Sequence, residues 1–143
     1  MNGVVLIQTD TTVGFVSQNA RRLAQIKSRT PEKPFLKTYA SFSDFKKEGR
    51  IPAAFRRHVR RSEKTTYVVK SKAFRIVAEG SYHLFLRPFG WAYSTSANAS
   101  GATFDEHFAR THADLVVEDY RGFVETEPSR ICKINHRKQQ RIR

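Results

Sequence analysis

Three short stretches of this chain carry side chains able to hold a charged or polar ligand. The first is STSANASG, Ser94 to Gly101. Ser hydroxyls, an Asn amide and consecutive backbone N–H groups can line a nest for an anion. The same composition also makes an ordinary surface turn. The second is QTDTTVGF, Gln8 to Phe15, a hydroxyl-rich segment directly after an apolar run. The end of a buried strand is where α/β proteins place ligands, although a plain strand-to-helix loop reads the same way. The third is KSRTPEKP, Lys27 to Pro34, with Lys27, Arg29 and Lys33 close together. Cations are favoured at a helix C-terminus without any ligand, which accounts for Lys27 and in part for Arg29. Pro31 and Pro34 stiffen the segment, and a rigid loop displaying a guanidinium fork suits phosphate oxygens.

Other chemistries lack their residues. The single Cys, Cys132, has no evident partner, and His107 and His112 are not at the i,i+4 spacing that shares a helix face. There is no GxSxG with a triad order, no Walker A loop and no GxGxxG. No metal site is expected. Asn98-Ala99-Ser100 matches a glycosylation acceptor, a chance match without a secretory signal.

Of the 143 residues, 26 are Lys or Arg against 13 Asp or Glu, a formal net charge of +13. That excess points to a polyanionic partner, either nucleic acid or a phosphorylated small molecule. From Arg50 to Arg75 nine cations face one acid, Glu63; from Asp105 to Glu127 seven acids face Arg110 and Arg121; the tail HRKQQRIR is basic again. Much of this is read as solvated face. Phe55, Tyr67 and Phe74 near the basic run could stack bases but read more readily as core. Hydrophobic residues make up 39% of the chain, enough for a core. The length suits one domain over residues 1–143. No stretch reaches the roughly 20 apolar residues of a membrane span, and MNGVVLIQTD has no basic n-region. A soluble, cytoplasmic protein with no membrane partner is expected.

The elements that must position these stretches follow from periodicity. GVVLIQ, FLKTYA, TTYVVK, AFRIVAE and YHLFLR read as strands, with DLVVED, SRICKI and QQRIR as late ones. SQNARRLAQIKSR reads as a helix with Ser17 as N-cap and a stop at Thr30-Pro31. SDFKKEG is a short helix ending at Gly49. IPAAFRRHVRR is another, with Pro52 in its first turn. TFDEHFARTHA opens with Thr103 and Glu106 in capping-box spacing. The mixture predicts a single α/β (α+β) domain with one twisted, mixed sheet and packed helices.

Taken in order, QTDTTVGF, KSRTPEKP and STSANASG resemble the YrdC/YciO-like family, the threonylcarbamoyl-AMP synthases. That family is marked by a PTDTVYGL-like segment, a K-x-R pair with a following Pro, and S-x-S-A-N-x-S-G. An Arg on a strand upstream of the last motif is matched by Phe85-Leu86-Arg87, and the late strand and ending are echoed by SRICKI and RIR. The resemblance spans nearly the whole chain. It implies a mostly antiparallel sheet around an open basic cavity. It also implies synthesis of threonylcarbamoyl-AMP and pyrophosphate from L-threonine, bicarbonate and ATP, usually with Mg²⁺, for threonylcarbamoyladenosine in tRNA. Lys27, Arg29 and Lys33 would then meet ATP, as would Ser96, Asn98, and Arg141 or Arg143. Thr11, Arg87 and Ser94 would hold threonine, Arg87 by its carboxylate.

The sequence also departs from the family pattern. It starts almost on the first strand. Family members carry a helix between the strand Arg and the SAN motif, but only eight residues separate Arg87 from Ser96. A His that often contacts threonine falls at Thr38, and the Thr of the late strand falls at Arg130. These features imply a compact member with the phosphate side better preserved than the threonine side. Two other readings stand beside the enzyme. One is a non-catalytic relative binding tRNA or double-stranded RNA. The other is a structural partner of other tRNA-modification proteins.

Overall fold

The computed structural model describes residues 1–30 and 32–143; Pro31, expected to help stop the first helix, lies outside the described residues. The chain opens with a hairpin of β1 (Val5–Gln8) and β2 (Val13–Ser17), followed by α1 (Ala20–Ile26) and β3 (Leu36–Tyr39). Two short helices come next, α2 (Phe42–Lys46) and α3 (Ala53–Arg61), then β4 (Thr65–Val69) and β5 (Lys72–Ile76). Helix α4 (Gly80–Leu86) leads into β6 (Trp91–Ser96), and α5 (Glu106–His112) precedes β7 (Leu115–Val117), β8 (Arg130–Ile134) and β9 (Gln139–Arg141).

Among the described residues these make one nine-stranded sheet of order β7-β1-β2-β6-β3-β5-β4-β8-β9. Five neighbouring pairs are antiparallel and three parallel, β1–β7, β3–β5 and β4–β8. The expected mixed, mostly antiparallel α/β sheet is what forms. Side chains alternate between its two faces. On the first face α1 and α5 cover β1 and β2 through Leu23, Ala24 and Ala109. On the same face α2 and α3 cover the β3–β5–β4–β8 half, where Phe45 stacks on Phe74 at 4.2 Å. On the second face α4 packs Tyr82 and Leu86 against Val5, Ile7, Val16 and Ala92.

Several expectations are corrected. YHLFLR is not a strand. Its apolar residues Tyr82, Phe85 and Leu86 fall at helical spacing, and Leu84 points out at 63% exposure. Half of QTDTTVGF is strand, because VGFVS is β-branched and pairs with β1; only Thr9–Thr12 turns, closed by Thr9 N donating to Thr12 O at 3.0 Å. WAYSTS, left without an element in the sequence, is β6 at the sheet centre. Ser17 ends β2, and Asn19 caps α1 by accepting from Arg22 N. Pro52 sits one place earlier than expected, at the cap of α3. Thr103 does not cap α5; the Asp105 carboxylate does, accepting from Phe108 N at 3.1 Å.

Candidate functional site

Lys27 caps the C-terminal end of α1 and is only 7% exposed. Its ammonium donates to Ser96 O at 3.0 Å, Asn98 O at 2.6 Å and Asn98 Oδ1 at 3.2 Å. The KSR and STSANASG stretches are therefore physically joined. Burial, and secondarily the Arg29 charge, hold the Lys27 pKa below the ordinary lysine value. The Asn98 amide donates onward to Ala99 O and Ala102 O, which closes the loop that Gly101 turns with φ +76°. Ser96, at the end of β6, is exposed beside this loop.

Arg29 follows Ser28, whose φ of +46° turns the chain out of the helix. Its Nη2 donates to Pro34 O at 3.0 Å, and its guanidinium lies 4.6 Å from the Phe35 ring centre. Its Nε is buried with no acceptor. Lys33 is exposed on the same segment.

A second polar group lies on the second face, where the register sets Thr38 between Arg75 of β5 and Ala92 of β6, and Ser94 opposite Val16 and Leu36. Arg75 is 2% exposed and its Nη2 lies 3.1 Å from Asp10 Oδ1. Burial raises the Asp10 pKa above the usual carboxylate value, and the neighbouring Arg75 offsets only part of that. Thr38 Oγ1 donates to Ala92 O, so its contact with Tyr82 Oη at 2.8 Å uses the phenol hydrogen. Burial pushes the Tyr82 phenol up to about 12. Thr11 is buried in the β1–β2 turn, its N–H donating to Thr9 Oγ1. Gly14 is required beside it: a Cβ there would meet Thr9 Cγ2 at 2.9 Å and Thr95 O at 3.2 Å.

Asp10 Oδ1, Arg29 Nε and Arg75 Nε are the buried side-chain polar atoms without a hydrogen-bond partner among the described residues. All three belong to these two groups. Buried unmet polar atoms are costly, and each is a place that a ligand, ion or water would satisfy. A cleft of about 460 Å³ opens on the second group, walled by Asp10, Thr11, Lys64 and Tyr82 among others.

The remaining predicted residues fall elsewhere. Arg87 was expected on a strand; it caps the C-terminus of α4, exposed, with its N–H on His83 O. The Arg on the strand that precedes a helix and then the SAN motif is Arg75. Counted from Ala73-Phe74-Arg75, helix α4 stands between the strand Arg and the SAN motif, so that helix is present. Arg75 could have been found from sequence as a cation in the middle of the apolar run AFRIVAE. Nothing local marked Tyr82 as its neighbour. Arg141 and Arg143 lie on and after β9, five strands from β6, where Arg143 donates to Ser129 O. The structure does not bring them to Lys27. Tyr67 and Phe74 are buried, with Phe55 packed against them, so the aromatics of the basic run are core. Among the described residues no three His, Cys, Asp or Glu side chains gather as a metal site. No helix is long and apolar enough to cross a membrane.

This arrangement of sheet and helices is the YrdC-like fold. No family model and no curated protein matches the chain by sequence. Solved structures do match it along 99% of its length. Escherichia coli YciO superposes with a TM-score of 0.75 at 14% identity, over 82% of YciO. P. abyssi Sua5 complexed with L-threonine gives 0.76 at 18% identity, and this chain spans half of that one. Full-length HypF in its phosphate- and nucleotide-bound form gives 0.73 at 16% identity, over 26% of HypF.

Proposed function

We propose that the chain is an L-threonylcarbamoyladenylate synthase, joining L-threonine, bicarbonate and ATP into threonylcarbamoyl-AMP and pyrophosphate. The observation that carries this reading is the placement of the unmet buried donors, Arg29 Nε at the phosphate side and Arg75 Nε at the amino-acid side. The fold neighbours bound to L-threonine and to phosphate and nucleotide support the same two ligand classes. The chemistry needs no protein nucleophile. The threonine amine takes up CO₂ as a carbamate, a carbamate oxygen attacks the α-phosphorus, and the bond to pyrophosphate breaks. The chain has to bring anions together and neutralise their charge.

In this reading Lys27 shapes the Asn98 loop, and Arg29 with Ser96, Asn98 and Lys33 receives the phosphates. Arg75 takes the carboxylate role assigned from sequence to Arg87, with Thr11 and Ser94 beside it. Mg²⁺, if it enters with ATP, would supply further charge neutralisation to the phosphates that Arg29 and Lys33 meet.

The test is pyrophosphate release dependent on both threonine and bicarbonate. Arg29→Ala is expected to lower turnover by at least tenfold with an unchanged melting temperature, since removing one charge-stabilising donor costs that much or more. No threonine-dependent release from folded wild-type protein would overturn the reading.

A second reading, a relative that binds tRNA or double-stranded RNA without catalysis, is favoured by one observation. The four arginines of α3 and the six cations from Arg130 to Arg143 are exposed, and none is in an ion pair among the described residues.

A further inference from the structure

Arg75 is held in an incomplete pairing. A guanidinium presents Nε and Nη side by side to the two oxygens of a carboxylate. Asp10 lies within ion-pair distance of Nη2 alone, is not aligned for a hydrogen bond, and leaves Nε bare. An external carboxylate gripping both donors would bond better than Asp10 does. Tyr82 stands beside the pair, lining the cleft with Asp10 and bonding Thr38, the strand neighbour of Arg75. Its ring is 2% exposed, its hydroxyl is seated on Thr38, and its other side borders the cleft shared with Asp10, Thr11 and Lys64. Tyr82 lies two residues after Gly80, whose φ of +87° starts α4, and stacks on Phe85 with 6.3 Å between ring centres.

We propose that Tyr82 is the residue that sets access to Arg75: its phenol occupies the place on Thr38 that must be vacated before a ligand carboxylate can pass from the cleft and replace Asp10 on the guanidinium. For the ligand's identity, a small amino acid, this rests on the reading given above; it does not depend on catalysis. A closed form lowers apparent affinity in proportion to the fraction of molecules that are open. Tyr82→Phe keeps the ring and its packing but removes the hydrogen bond to Thr38, so it raises the open fraction. Tyr82→Ala removes the barrier altogether.

The experiment is a titration of wild type, Tyr82→Phe and Tyr82→Ala with L-threonine followed by amide NMR. It is run with and without a saturating nonhydrolysable ATP analogue, whose own affinity is measured in parallel. Tyr82→Phe is expected to bind threonine roughly fivefold tighter than wild type, the size of one lost hydrogen bond, and Tyr82→Ala tighter still. Affinity for the nucleotide should stay within about twofold in both, which a general loosening of the fold would not allow. Equal or weaker threonine binding by folded Tyr82→Phe overturns the proposal, as does absence of threonine binding in all three proteins. Tighter threonine binding in the variants with no nucleotide binding in any protein would sustain the role of Tyr82 and sink the synthase reading.

Discussion

Lys27 uses all three of its N–H donors on the chain itself, on Ser96 and Asn98. Its charge is therefore structural before it meets any phosphate. It neutralises the carbonyls of the loop and leaves Arg29 as the cation with an open donor. Lys27→Met should cost about 2 kcal/mol through these lost charge-assisted bonds, speed amide exchange across residues 97–102, and weaken nucleotide binding at least tenfold. Lys27→Arg should fail to restore binding, because a planar fork cannot meet three acceptors arranged around a point charge. The measurements are urea unfolding, hydrogen exchange and nucleotide titration. At this scale the sequence showed residue types and not partners. KSR and STSANASG were visible as polar stretches, but the bonds between them link positions far apart in the chain, and only the β2–β6 pairing that puts Ser96 beside Gly14 brings them into reach. Arg75 was hidden for a different reason. Ala73-Phe74-Arg75 and Phe85-Leu86-Arg87 both set an Arg after two apolar residues, and burial separates them.

Helix α4 shows where periodicity discriminates. Read as a strand, Tyr82, Leu84 and Leu86 would share one face. Read as a helix, Tyr82, Phe85 and Leu86 share it and Leu84 faces water. The structure follows the second pattern, with Leu86 fully buried. Leu86→Ala should cost about 2–5 kcal/mol, whereas Leu84→Ala should fall within about 0.5 kcal/mol of wild type; equal costs would contradict the helix. Most other elements were legible: β1, β3, β4 and β5 from apolar β-branched runs, and α1, α2, α3 and α5 from their stripes. β6 was not, because Trp, Tyr, Ser and Thr at the sheet centre look like a loop until their neighbours supply the burial. The N-caps were misplaced by two residues at each end of the chain, since Asn19 and Asp105 outcompete the hydroxyls Ser17 and Thr103 as acceptors.

Charge is segregated across the whole molecule. At the β7 and α5 end the acids are largely engaged within the chain: Arg110 bridges Glu106 and Glu118, Arg22 holds Asp114, and Arg121 holds Asp119. At the other end Arg143 and Arg130 are steered by backbone carbonyls, Ser129 O and Glu63 O, which fixes their direction without cancelling their charge. Like charges at Arg56–Arg60 and Arg57–Arg61 spacing repel along α3. If this end meets duplex RNA, the logarithm of the affinity should fall linearly with the logarithm of salt concentration, and Arg57→Glu/Arg61→Glu should flatten that slope by about two units. A filter-binding salt series on wild type and the double variant reads this directly. Binding unaffected by either salt or the substitutions would remove the nucleic-acid reading.

The sheet order has a consequence for how the chain reaches this form. Among the described residues β6 alone touches both the β7–β1–β2 part and the β3–β5–β4–β8–β9 part of the sheet, pairing with β2 on one edge and β3 on the other. The strands before Trp91 fall into two groups, β1–β2 and β3–β5–β4, and the segment ending at Ser96 pairs with both. That joining requires closure of long loops, which makes it slow compared with local helix and hairpin formation. The strand that joins the two parts of the sheet is also the one that carries Ser94 and Ser96 and leads into Asn98, so the ligand-binding groups and the continuity of the sheet depend on the same segment.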